Sequence, residues 1–162
     1  MIACTSGQTN PRKKELMNMN EQTAATDAPL SEQTGKLLKD VRHKLLRQHK
    51  VLLDDERAAY ERIHGRVTSG EMLQLVISAE QFAWLHALSE LIVRIDAESA
   101  TEPGAQSLLM QARALLIPSD TSGEFARKYQ AALQREPAAV LAHAELARLL
   151  ANRDAKQEDD AR

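Results

Sequence analysis

The chain has 162 residues, 43% of them hydrophobic, with 21 Lys and Arg against 23 Asp and Glu. Its apolar set is dominated by 25 Ala and 22 Leu, with only 12 Ile and Val, a bias toward helix because Ala and Leu lose little rotamer freedom there. Six Gly and five Pro are too few for the turns of a sandwich or barrel, one Cys excludes a disulfide framework or Cys-rich zinc site, and the balanced charge gives no global field toward nucleic acid or membrane.

Residues 1–30 are rich in Thr, Asn, Gln and Ala and are expected to form a disordered leader, because such a segment buries too little surface to offset its ordering entropy. No apolar run precedes Cys4 and the cluster Arg12-Lys13-Lys14 follows it, so neither a signal peptide nor a lipidated Cys is expected. Met17 and Met19 each follow a plausible short leader and are candidates, beside Met1, for the expected start. With no run of about 18 apolar residues, the expectation is a cytoplasmic protein without a membrane span.

Ser31-Glu32 is a helix start and Gly65 a stop. Between them Leu38, Val41, Leu45, Leu52, Ala59 and Ile63 share one face. Lys36, Lys39, His43, Arg47, Lys50, Asp54, Arg57 and Glu61 take the other. This predicts one amphipathic helix of about 48 Å at 1.5 Å per residue. Thr68-Ser-Gly-Glu71 is a capping-box pattern and opens a second helix over 69–98. In its front half Met72, Leu75, Val76, Ala79, Phe82 and Ala83 share a face; Trp84, Leu88, Leu91, Ile92 and Ile95 take roughly the opposite one. The two helices are expected to form an antiparallel hairpin, with the second helix central.

Pro103-Gly104 marks a break before a third helix over 105–117. A second capping pattern, Thr121-Ser-Gly-Glu124, opens a fourth helix that ends before Pro137, and Pro137 suits the first turn of a fifth, 137–151. Residues 152–162 read as a disordered acidic tail. The predicted fold is therefore all-α: one domain over 31–151, a helical bundle in which a long antiparallel hairpin carries three shorter helices on the second helix. Trp84, Phe82, Leu88, Ile92, Leu45 and Leu52 are its expected core.

Polar residues near the apolar stripes are the candidate site. With the hairpin turning near Arg66–Val67, His49, Glu56, Glu80 and Gln81 are expected to converge on one stretch of the interface. Facing carboxylates with a histidine could bind a metal or a small ligand, although a carboxylate-bridged di-metal bundle needs two Glu-x-x-His pairs and this chain has one, Glu61-Arg-Ile-His64. The bland alternative is that Glu80 pairs with Arg42 or His49, or reaches solvent. No Gly-rich phosphate loop or Gly-x-Ser-x-Gly elbow is present, so no catalytic residue or cofactor is assigned. Lys36, Lys39, Arg42, His43, Lys44, Arg47, His49 and Lys50 form a basic segment of the kind that neutralises phosphate. It lacks interleaved aromatics for base stacking and turns acidic at Asp54-Asp55-Glu56. It suits a protein partner or self-association as well as DNA. Arg127, Lys128 and Arg135 would sit on the second helix of a forced helix-turn-helix, whose connection here is too long.

Residues 124–150, with Tyr129, Ala132, Leu133 and Pro137, resemble the second helix of a tetratricopeptide repeat followed by the first helix of the next. The stretch Glu71 through Asp96 is similar to small all-helical bacterial proteins of uncharacterised function, a resemblance that implies a helical fold and no activity. The expected function is a non-enzymatic protein–protein interaction or scaffold role. The alternatives are a ligand- or metal-binding bundle on His49, Glu56 and Glu80, and a DNA-associated regulator on the basic segment 36–50.

Overall fold

A computed structural model describes residues 28–118 and 122–160, which form seven α-helices and no β-strand. The expected leader up to residue 27, with Cys4 and the alternative starts, lies outside the described residues, as does Thr121. No helix among the described residues is long and apolar enough to cross a membrane.

Helix α1 spans Glu32–His64. Ser31 caps it by accepting a hydrogen bond from the Thr34 backbone N–H at 3.2 Å, and Gly65 ends it at φ 85°, the left-handed conformation that favours glycine. Its buried residues, Leu38, Val41, Leu45, Gln48, Leu52 and Glu56, recur at three- and four-residue spacing and so form one continuous seam. Ile63, placed by periodicity on that face, is instead 80% exposed, because no later helix packs extensively over the last turn of α1.

The single helix expected over 69–98 is three pieces: α2 (Ser69–Ser78), α3 (Glu80–Ala83) and α4 (His86–Glu98). The capping box forms, with the Thr68 N–H donating to Glu71 Oε2 at 2.7 Å and the Glu71 N–H to Thr68 Oγ1 at 3.3 Å. Ala79, at φ −90° and ψ 130°, then interrupts the helix without Gly or Pro. The reason lies in the change of apolar face: in a straight helix the Met72/Phe82 set and the Trp84/Leu88 set would point opposite ways. The break turns both inward, and Met72, Phe82, Trp84, Leu85, Leu88, Leu91, Ile92 and Ile95 are all buried.

The antiparallel hairpin exists between α1 and α4, but its register is about one helical turn from that expected. His49 meets Ser89 and Arg42 meets Asp96. Helix α5 (Glu102–Leu116) begins at Thr101, whose side chain accepts from the Gly104 N–H at 3.3 Å. Gly104 is needed there, since a Cβ would lie 2.9 Å from the Glu98 carbonyl oxygen. Helix α6 (Glu124–Arg135) starts on Gly123 with no side-chain cap bond, so the second Thr-Ser-Gly-Glu does not reproduce the first box. Pro137 opens α7, which runs on to Asp160 rather than stopping at 151, as suits a stretch with no Gly or Pro after Pro137.

The packing order also differs from expectation. The most extensive helix–helix contact is α7 along α1, not the shorter helices on the second segment; α5 lies against α4, α1 and α7, and α6 against α7. The long helix, not the second, is the central element. Its seam is apolar enough to require cover on both flanks.

One carboxylate ties the start of α1 to the start of α5. Glu102 accepts from the Ser31 N–H at 2.9 Å and from Thr34 Oγ1 at 2.6 Å, while its own N–H donates to the Ala28 carbonyl at 2.9 Å. Desolvation pushes its carboxyl up, but these hydrogen bonds and one from Gln106 outweigh that and hold it at about 2. The folded value lies below the ordinary 4.5, so the stabilisation is complete above that value and is lost as pH falls through about 2. Glu102→Gln is expected to lower stability at neutral pH and to flatten the acid limb below the ordinary value, read from urea midpoints along a pH series; an unchanged acid limb would contradict this.

Candidate functional site

The candidate site starts from Glu56, the one carboxylate in the seam of α1. It is 8% exposed, and an ionised carboxylate there needs partners. Gln81 Nε2 donates to Glu56 Oε2 at 3.0 Å and to the Glu56 carbonyl at 3.2 Å. On the other side, Arg135 Nη2 donates to Glu56 Oε1 at 3.0 Å and Arg135 Nε to Asp55 Oδ2 at 2.7 Å. The expected meeting of Glu56 with Gln81 therefore occurs, and its cation comes from the end of α6.

Glu80 is not part of it. The break at Ala79 leaves Glu80 exposed in the first turn of α3, with no hydrogen bond to His49, Glu56 or Arg42. His49 sits two turns away and shares a 2.9 Å hydrogen bond with Ser89 Oγ. Burial lowers its pKa first, and the nearby His86 lowers it further, so the ring is held neutral. His49, Glu56 and Glu80 thus do not converge, and among the described residues no three His, Cys, Asp or Glu side chains come together as a metal site. Glu61 and His64 do not face each other: Glu61 accepts from Arg57 and the Val67 N–H, and His64 stacks on Tyr60 at 4.3 Å.

Two polar features of the interior were not anticipated. Gln48 is fully buried in the seam, and neither polar atom of its amide has a hydrogen-bond partner among the described residues. Its spacing from Leu45 and Leu52 was the available signal. Behind Trp84, an aromatic row runs through Phe125 (5.7 Å between centroids) and Tyr129 (5.3 Å) to His143. Burial raises the Tyr129 pKa and lowers that of His143, so a neutral phenol lies 3.0 Å from the neutral Nδ1 of His143. This row joins α6 to α7.

The basic surface is largely neutralised within the fold. Lys44 and Arg47 both reach Glu145 on α7, at 2.7 and 3.1 Å, Lys50 pairs with Asp54, and Arg42 pairs with Asp96. Hydrogen bonding from Lys44, then the charges of both cations, hold the Glu145 carboxyl below its ordinary range. Of the predicted basic surface, Lys36, Lys39 and His43 remain exposed without an ion pair among the described residues. Lys36 and Lys39 border a groove of about 510 Å³ between the first turns of α1 and the end of α4. Leu30, Gly35, Leu38 and Ile95 supply its apolar lining, and Glu32, Arg42 and Asp96 also border it. Leu30, expected in the leader, instead packs on the core.

Compared with family models, curated proteins and solved structures, the chain has no significant match.

Arg135 is about two-fifths exposed while Glu56 is nearly buried, so their pair is worth less than a fully buried one. Arg135→Ala is expected to destabilise the fold by about 1–2 kcal/mol; the part owed to Glu56 is absent in a Glu56→Gln background, while the part owed to the Asp55 link remains. Denaturant melts of the double-mutant cycle measure it; additive effects would contradict the coupling.

Proposed function

We propose that this protein is a cytoplasmic, non-enzymatic interaction module that binds an acidic, partly apolar segment of another protein in the groove between α1 and α4. The observation that carries the reading is the composition of that groove: an apolar lining of Leu30, Leu38 and Ile95 beside Lys36 and Lys39, whose charges are not used within the fold. An apolar side chain entering the groove gains by leaving water, and carboxylates flanking it meet the two ammonium groups. Rim charges of this kind steer encounter and select sign more than they add affinity. The other fixed cations of the basic segment, Arg42, Lys44, Arg47 and Lys50, are tied to Asp96, Glu145 and Asp54, which leaves too few there for strong phosphate neutralisation and favours protein over nucleic acid. The lone Cys supports a reducing compartment.

The test is capture from a lysate of the source cell with wild type and with Lys36→Glu/Lys39→Glu. The reading expects a discrete partner with an acidic segment, whose capture falls about tenfold with the charge reversals. No discrete partner, or undiminished capture by the variant, would overturn it.

A further inference from the structure

The interruption at Ala79 leaves a carbonyl without its helical donor, and a side chain from another helix supplies one. In an unbroken helix the Val76 carbonyl accepts from the Glu80 N–H. With Ala79 extended at φ −90° and ψ 130°, that bond is absent among the described residues, while the Ala79 N–H still reaches the Leu75 carbonyl at 2.8 Å. His86 Nε2, from the first turn of α4, lies 2.8 Å from the Val76 oxygen. A carbonyl only accepts, so Nε2 carries the proton and donates. His86 therefore closes the C-terminal end of α2 from outside it, where an imidazole also suits the negative end of the helix.

Among the described residues this is the sole polar link between α2 and another helix. The other hydrogen bonds of α2 stay within it, its N-terminal capping box or the Ala79 turn. Its apolar hold is slight as well. Met72 is buried and Leu75 and Val76 are half-buried against the core, but Leu73 and Ile77 are exposed. The residues on both sides are non-helical: 65–68 before α2, with Gly65 at φ 85°, and Ala79 after it. A helix of ten residues with so little packing has little stability of its own. The element that carries His86 is fixed by contrast. Ser89, one turn on, bonds His49 of α1 at 2.9 Å, and Asp96 bonds Arg42.

We propose that α2 is a hinged flap and that His86 is its latch. Residues 65–68 and Ala79 are the two hinges, and in the open form α2 leaves the bundle as a unit while α1, α4 and α7 stay packed. Opening withdraws Met72 from the core cluster that it shares with Leu52 and Phe82 and exposes its thioether. His86 is a positioning residue. It favours the closed form by the strength of one hydrogen bond, about tenfold in population. Anything that takes the imidazole away from Val76 therefore shifts the bundle toward the open form. The flap shares no residue with the groove between α1 and α4, so its motion does not depend on what that groove binds.

The test is native-state amide exchange of the full chain across sub-denaturing urea, for wild type, His86→Ala and His86→Gln. Peroxide oxidation of Met72 is read alongside by mass spectrometry, against Met110, which is 61% exposed; it reports the same opening because thioether oxidation follows exposure. In wild type the hydrogen-bonded amides of α2 exchange as a group with weak urea dependence, the mark of an opening that exposes little surface. Those from Leu38 to Glu56 show steep dependence. His86→Ala speeds exchange of α2 and oxidation of Met72 about tenfold, with circular dichroism unchanged. His86→Gln, which keeps a side-chain N–H donor of similar reach, retains most of the protection. Three results would each overturn the proposal: α2 exchanging with the urea dependence of α1, no acceleration in His86→Ala, or as much acceleration in His86→Gln as in His86→Ala.

Discussion

The structure depends on the burial of one seam along α1. Leu38, Val41, Leu45, Gln48 and Leu52 are each no more than 2% exposed, and covering them takes α4 and α5 together with α7 on the opposite flank. Each aliphatic side chain so buried contributes roughly 1.5–3 kcal/mol, and among the described residues this is the longest buried stripe on one helix. The polar links follow the same geometry. Arg42 to Asp96 and His49 to Ser89 fasten one flank; Lys44 and Arg47 to Glu145, and Arg135 to Glu56, fasten the other.

The legible parts of the fold were those written in local chemistry. Ser31, the Thr68/Glu71 box, Gly65 and Pro137 each mark a boundary through a specific backbone requirement, and each boundary stands. The interruption at Ala79 had no such marker. It arises from a tertiary demand, the need to turn Phe82, Trp84 and Leu88 toward one core, and only the switch of apolar face hinted at it. The second Thr-Ser-Gly-Glu shows the converse: a good local pattern, yet α6 starts on Gly123. Ile63 fits the stripe by angle and is exposed because no partner helix reaches it.

The candidate site divides in the same way. Glu56 and Gln81 meet because the hairpin brings them together irrespective of the break. Glu80, one residue earlier, is lost to solvent because the break turns it away. Arg135 could not be anticipated as the cation for Glu56, since it lies 79 residues along the chain and depends on how α6 enters α7. Gln48 falls on the stripe by its spacing from Leu45 and Leu52 but was not singled out among the polar residues there. Its unpartnered amide is a cost to stability, and a single buried polar residue of this kind is a recognised means of fixing register between helices.

These elements grade the molecule from a seam covered on both flanks to a short helix, α2, that the chain covers on one side only. Native-state amide hydrogen exchange measures that gradient directly, because exchange of buried helical amides requires opening of the packing that covers them. The account predicts that amides from Leu38 to Glu56 exchange slowest and only through global unfolding, and that those of α2 exchange much sooner. Exchange in α1 as fast as in α2 would contradict it.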